Sequence, residues 1–129
     1  MSHNWRFLNT GSYSGAMNMA LDDVLLKGVQ EGGDPVVRFY SWEPPAISFG
    51  YAQDPYSEVD VDRCLEMGID LVRRPTGGRA VLHWAELTYS VVAPLDNSVI
   101  WGQRIHEAYR VIGHCLVKGL KKYGIDAEL

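Results

Sequence analysis

Arg73-Arg74-Pro75-Thr76-Gly77-Gly78-Arg79-Ala80-Val81-Leu82-His83 is the most informative stretch of this chain. Two arginines close a short apolar run, Pro75 stiffens the exit, and the glycine pair is free to take positive φ. Glycines without side chains let backbone N–H groups converge on an oxyanion. Flanking guanidiniums add forked donors that match phosphate or carboxylate. Read this way, the stretch is an anion cradle that faces a cavity. The other reading is a solvated hairpin turn with incidental positive charge. It is neither a Walker loop nor a dinucleotide fingerprint, because the required glycine and lysine spacings are absent. His83 can donate to a substrate carbonyl or phosphate, act as a base, or serve structurally by pairing with a backbone carbonyl.

Outward from this stretch, residues 80–83 and 87–92 read as strands joined by a tight turn around Ala85-Glu86. Upstream, residues 69–72 form a brief strand. Residues 59–67 form a short helix with Val61, Cys64 and Leu65 on one face and Gly68 as its stop. Residues 46–51 and 36–40 are strands separated by the break at Pro44-Pro45. Residues 14–30 carry Met17, Ala20, Leu21, Val24 and Leu25 at i, i+3, i+4 spacing, which predicts a helix with one buried stripe. Ser14 is its N-cap and Gly32-Gly33 its stop. Trp5 to Leu8 begins a strand closed by a turn over residues 9–12. Downstream, a loop around Pro94 to Asn97 leads to a helix over residues 101–123. There Ile105, Tyr109, Ile112, Leu116 and Leu120 trace the core face and Gly124 closes it, and residues 125–129 look like the start of a strand. Strands and helices interleave without strict βαβ alternation, which predicts an α+β fold with a mixed, mostly antiparallel sheet flanked by helices.

Composition narrows the function classes. The 129 residues suit a single domain spanning 1–129, and 47% hydrophobic with 22% charged residues is ordinary for a globular chain. Twelve basic against sixteen acidic side chains give a net charge of −4, so no global field favours nucleic acid and any anion must be held locally. No apolar run approaches the ~20 residues that span a bilayer, so no membrane association is expected. The first residues lack a basic region followed by an apolar run. Cys64 and Cys115 are too few for a disulfide framework, so a reducing, cytoplasmic setting is expected. No His, Cys and carboxylate cluster has zinc spacing, and no metal is expected.

Three further features carry two readings each. Cys64 and Cys115 are either nucleophiles or small buried hydrophobes; both lie on apolar helix faces with nothing basic adjoining to lower the thiol pKa, which favours core. Trp42-Glu43-Pro44-Pro45 with Ser48-Phe49-Gly50-Tyr51 sets aromatics beside a glycine. That suits either a slot for an extended apolar ligand or plain core packing.

The stretch from Arg73 to His83, followed by Glu86-Leu87-Thr88-Tyr89-Ser90, resembles the signature of the lipoate–protein ligase A and octanoyltransferase family. Asn18-Met19-Ala20-Leu21-Asp22 is similar to the family's first-helix segment. Arg38-Phe39-Tyr40-Ser41-Trp42, Pro44, Ser48, Gly50 and Gln53 resemble its second block. Arg79 directly after the glycine pair looks closer to octanoyltransferases of the ligase-like branch, since ATP-dependent ligases usually have a third glycine there. Trp84 departs from the family, which commonly has aspartate after the histidine.

The resemblance implies a fold similar to the biotin/lipoate protein ligase catalytic domain, of which this chain would be the N-terminal portion. It implies octanoyl transfer from octanoyl-acyl carrier protein, through an enzyme cysteine, to a lysine of a lipoyl-accepting protein such as glycine cleavage H protein. Substrate-binding residues would be Arg73, Arg74, Thr76, Gly77, Gly78, Arg79 and His83, and the acyl pocket would involve Trp42, Ser48 and Gly50. No catalytic residue is expected in this chain: family members are longer, and their nucleophilic cysteine and substrate-contacting lysine fall beyond Leu129. The transferase reading needs no cofactor. Two alternatives stand beside it: an ATP- and Mg²⁺-dependent lipoate–protein ligase working through a lipoyl-adenylate, and a non-catalytic half-domain that binds an acyl carrier or a partner chain.

Overall fold

Ser14 turns the chain from strand into helix. Its hydroxyl accepts the Met17 N–H at 3.3 Å, satisfying one of the amides a helix leaves open at its start. Asp60 does the same for a second helix by accepting the Arg63 N–H at 2.9 Å. The computed structural model describes residues 4–95, 102 and 104–129. Its elements are β1 (Arg6–Tyr13), α1 (Gly15–Gln30), β2 (Val36–Trp42), β3 (Ala46–Phe49), α2 (Val61–Glu66), β4 (Asp70–Arg73), β5 (Val81–His83), β6 (Thr88–Val92) and α3 (Ile105–Lys122). A single 3₁₀ turn, Pro55–Ser57, lies between β3 and α2.

All three helices end the same way. Gly32, Gly68 and Gly124 have φ of +96°, +69° and +78°. In each case two amides beyond the helix bond back to carbonyls of the last turn, as Ile69 does to Cys64 and Gly68 to Leu65. This is the Schellman arrangement, which needs a left-handed residue just past the helix. The stops expected from the glycines are therefore where the sequence puts them.

The chain divides into two compact units, Met1–Ala93 and Pro94–Leu129. The first holds two three-stranded sheets, ordered β1-β2-β6 and β4-β3-β5. Each sheet combines one parallel pair (β1 with β2, β3 with β4) and one antiparallel pair (β2 with β6, β3 with β5). The fold is thus α+β with mixed sheets, the pairings dividing evenly between the two senses. β5 and β6 do not form the expected hairpin. The turn between them, with Ala85 at φ +48°, passes the chain from one sheet to the other.

β1 also runs further than expected. Instead of turning at residues 9–12 it makes a bulge: Asn9 pairs with Phe39 and Gly11 with Tyr40, leaving Thr10 out of register. Gly11 supplies the positive φ, and the displaced Thr10 hydroxyl accepts from Arg38 Nε at 2.9 Å.

Helix α1 packs against strands of both sheets, and Arg38 decides which face it turns inward. This arginine is completely buried in the middle of β2. Its Nη1 donates to Asp22 Oδ1 at 2.7 Å and to the Asn18 carbonyl at 3.0 Å, and its Nη2 to Asn18 Oδ1 at 2.6 Å. A buried cation must be paired and hydrogen-bonded, so the helix turns Asn18 and Asp22 inward together with Met19 and Val29. The stripe read from apolar spacing is corrected accordingly: Met17, Ala20 and Val24 are exposed, and only Leu21 and Leu25 are half-buried. Tyr40, under the Arg38 guanidinium, donates its hydroxyl to Asp22 Oδ2 at 3.1 Å. Burial first, then the Asp22 carboxylate, push the Tyr40 phenol pKa above its ordinary value. Met19, Tyr40, Trp42 and Ala46 form the apolar core, with Val72 packed against it.

The second unit is built on α3. Ala108 is buried, Ile112 and Leu116 are half-buried, and Ile105, Tyr109 and Leu120 are exposed. The expected core face is therefore only partly covered, because residues 125–129 form no strand. Instead the tail comes back along its own helix. Leu129 lies so close to Gly113 that a Cβ there would sit 2.6 Å from its side chain. Cys64 is buried as expected, whereas Cys115 is exposed, a correction to its reading as core. Trp101 and part of the loop around Pro94 to Asn97 lie outside the described residues. Among the described residues no helix is long and apolar enough to cross a membrane.

Candidate functional site

The arginine–glycine stretch leaves β4 and continues alongside the exit of β3. The parallel pairing of these strands extends past their ends: Arg74 N–H donates to the Phe49 carbonyl at 2.9 Å and Tyr51 N–H to the Thr76 carbonyl at 2.8 Å. Gly50 sits where the two loops cross. A Cβ at this position would come 1.9 Å from the Gly78 carbonyl oxygen, so only glycine permits the approach. Gly78 has φ +96°, and Gly77 looks onto open space.

Both arginines at the end of β4 work on backbone carbonyls. Arg73 Nη1 donates to the carbonyls of Gly50, Tyr51 and Gln53 at 2.8, 3.0 and 2.8 Å, gathering the turn after β3. Arg74 Nη2 donates to the carbonyls of Gly77 and Arg79, each at 2.8 Å, and its Nη1 to the Ser48 carbonyl at 2.8 Å. Arg79 points elsewhere and forms an exposed ion pair through Nε and Nη2 with Glu58 Oε1 at 2.9 and 2.8 Å. That hydrogen bond, and then the carboxylate charge, raise its pKa further.

The consequence for the loop is directional. The carbonyls of Thr76, Gly77 and Arg79 are turned inward and bonded, whereas the amides of residues 76–79 meet no acceptor among the described residues. Residues 76–79 are exposed. The loop is pinned through these carbonyls, and among the described residues it is exposed to solvent.

His83 lies beneath the loop, buried at the end of β5. Its Nε2 is 2.8 Å from Ser48 Oγ and its Nδ1 is hydrogen-bonded to Glu86 Oε1. Trp42 stacks on the imidazole with centroids 4.0 Å apart and planes 12° from parallel. The Trp42 indole N–H donates to Thr88 Oγ1 at 2.8 Å, and Thr88 donates to Glu86 Oε1 at 2.8 Å. Trp42, Ser48 and Gly50 are all buried; Gly50 lies against Gly78 and Ser48 meets Arg74, while Trp42 reaches them through His83. Tyr51, whose amide bonds to the Thr76 carbonyl, is 70% exposed.

Sequence reasoning assigned no role to Glu86 and Thr88. The available signal was a carboxylate three residues after the histidine across a tight turn. It also answers the departure at Trp84: the side chain following His83 is exposed, and Glu86 supplies the carboxylate to the imidazole instead. Gln53 and Glu58 were likewise unassigned; Gln53 Oε1 accepts the Gly50 N–H at 3.2 Å. Among the described residues no group of three or more His, Cys, Asp and Glu side chains comes together that could hold a metal ion.

The chain as a whole is similar to known proteins. The chain is 47% identical over 126 residues to octanoyltransferase LipM of Carboxydothermus hydrogenoformans, covering 97% of this chain and 46% of that protein. It is 48% identical over 127 residues to octanoyltransferase LipM of Staphylococcus aureus, covering 98% and 46%. The chain thus spans about half the length of the curated relatives it matches. Among solved structures, the bipartite lipoate protein ligase of Thermoplasma acidophilum superimposes with a TM-score of 0.84 at 32% identity, covering 99% of this chain and 49% of that one. The family model described as the lipoyl protein ligase A/B catalytic domain matches residues 14–129, and the chain belongs to that family.

Proposed function

We propose that this chain takes part in octanoyl transfer during protein lipoylation, moving an octanoyl group from octanoyl-acyl carrier protein towards a lysine of a lipoyl-accepting protein such as glycine cleavage H protein. The observation that carries this reading is the polarity of the loop after β4, whose carbonyls are tied by Arg74 and Tyr51 while the amides of the exposed residues 76–79 meet no acceptor among the described residues. Such amides suit a thioester carbonyl oxygen, which gains negative charge when the carbonyl is attacked, and preset donors cost no reorganisation at that moment. The high identity to proteins named octanoyltransferase supports the choice of donor.

In this reading Thr76, Gly77 and Gly78 hold the acyl head through the backbone, and Gly77 lets it approach. Arg74 holds the loop's shape and Arg73 that of the turn after β3 beside it, while Arg79 stands at the exposed rim to meet an anionic carrier. His83, with Trp42, Ser48 and Gly50, forms the base of the acyl site. Nucleophilic attack is assigned to neither Cys64 nor Cys115. The transferase reaction needs no ATP, whereas an ATP- and Mg²⁺-dependent ligase would form an adenylate from free lipoate.

Titrating ¹⁵N-labelled chain with octanoyl-carrier protein tests the reading. The amides of residues 76–79 are expected to shift in a saturable way, and more weakly with the unacylated carrier. Amides that stay unmoved, or lipoate-dependent ATP–pyrophosphate exchange by the active enzyme, would overturn it.

A further inference from the structure

We infer that Glu86 is a positioning residue for the loop over residues 76–79: it sets the proton position on His83, and through Ser48 this aims Arg74 at the Gly77 and Arg79 carbonyls. The inference follows from donor and acceptor capacity along one chain of contacts. Arginine only donates, so Ser48 Oγ, 3.1 Å from Arg74 Nη1, accepts there. The Ser48 proton is then directed to its other partner, His83 Nε2 at 2.8 Å. With Nε2 accepting that proton, the imidazole keeps its own on Nδ1, facing Glu86.

The opposite end fixes Glu86 as an acceptor. The Trp42 indole only donates, so Thr88 Oγ1 accepts from it and turns its own proton to Glu86 Oε1. Glu86 Oε1 therefore accepts twice, from Thr88 and from His83. A cation at one end and a carboxylate at the other give every link a single sense, and such a chain reinforces itself in a buried setting.

Ser48, His83 and Glu86 are connected like a nucleophilic triad, yet they do not act as one. Ser48 is 1% exposed and its oxygen already accepts from Arg74, so it is held as a structural link and not presented for attack. The relay instead controls how rigidly the loop's carbonyls are held, and hence how well its amides are presented. Only this last step rests on the proposed function.

The test is NMR on the full chain with ¹⁵N-labelled histidine and arginine, comparing the wild type with Glu86→Ala, Glu86→Gln and Thr88→Val. Wild type is expected to show neutral His83 with the proton on Nδ1 and slowly rotating, separately resolved Arg74 guanidinium protons. Glu86→Ala should make the Nδ1–H tautomer the minor one, average the Arg74 signals and shift the amides of residues 77–79, while the amides of β1 and β2 stay in place. Glu86→Gln should restore the wild-type pattern, because both neighbours donate and the amide oxygen can take the Oε1 position. Should Glu86→Ala fail to fold, Thr88→Val carries the test with smaller shifts of the same sense. A wild-type His83 protonated on Nε2, or unmoved Arg74 signals in folded Glu86→Ala or Thr88→Val, would overturn the inference. If these signals behave as expected but octanoyl-carrier protein leaves the loop amides unmoved, the proposed function fails and the positioning role stands.

Discussion

Gly50 and Gly77 lie in neighbouring loops, yet the fold treats them differently. A methyl at residue 50 would collide with the Gly78 carbonyl, whereas one at residue 77 meets nothing within 4 Å. Gly50→Ala should therefore cost stability by about 1–3 kcal/mol, the usual range for overpacking, seen as a lower urea midpoint. Gly77→Ala should unfold like wild type and lose only binding of the acyl donor, read by titration. Asp22 presents a sharper case. Asp22→Asn leaves the fully buried Arg38 cation without its counter-charge, and breaking one side of such a pair costs about 3–5 kcal/mol. Equilibrium unfolding of this variant against wild type checks the figure.

At the scale of elements, the glycine stops of α1 and α2 set where β2 and β4 begin. Gly68 ends α2 two residues before β4 starts, and a Cβ there would meet nothing within 4 Å. Its requirement is conformational alone. Gly68→Ala should destabilise by about 1–2 kcal/mol, and Gly68→Asn by less, because asparagine tolerates the left-handed region better; thermal unfolding of the pair distinguishes them. β3 is the other organising element. It carries both Ala46 of the apolar core and Ser48 of the relay beneath the loop, two residues apart and on one face, so one short strand couples packing to the site.

The whole of the first unit depends on a polar interior at α1 and β2, which gives its stability a pH signature. The Tyr40 phenol is raised above the ordinary value of 10.0, so above that pH the unfolded chain releases its proton first. The stability that neutral Tyr40 contributes is fully present below about pH 10 and falls as pH rises above it. Urea midpoints at pH 8 and 10.5 should drop further in wild type than in Tyr40→Phe, which has no phenol to titrate. Equal drops in the two proteins would contradict this.

Much of this protein is legible in its residues before any coordinate is known. Ser14 and the glycines at 32, 68 and 124 mark helix ends through local backbone chemistry, and the run from Arg73 to His83 announces a loop rich in donors. These are short-range consequences of which conformations a residue permits. Three things depended on tertiary contacts instead: the inward face of α1, the passage of β5 and β6 into different sheets, and the carbonyls that Arg73 and Arg74 bond to. Apolar periodicity misjudged α1 because a buried arginine twenty residues away in sequence from Asn18 outweighed it. The arginines looked like ligand clamps, yet carbonyls brought close by the crossing of two loops claim their donors. Local sequence specified which groups could bind; long-range packing, which pairs distant donors with acceptors in a low-dielectric interior, decided what they bind to.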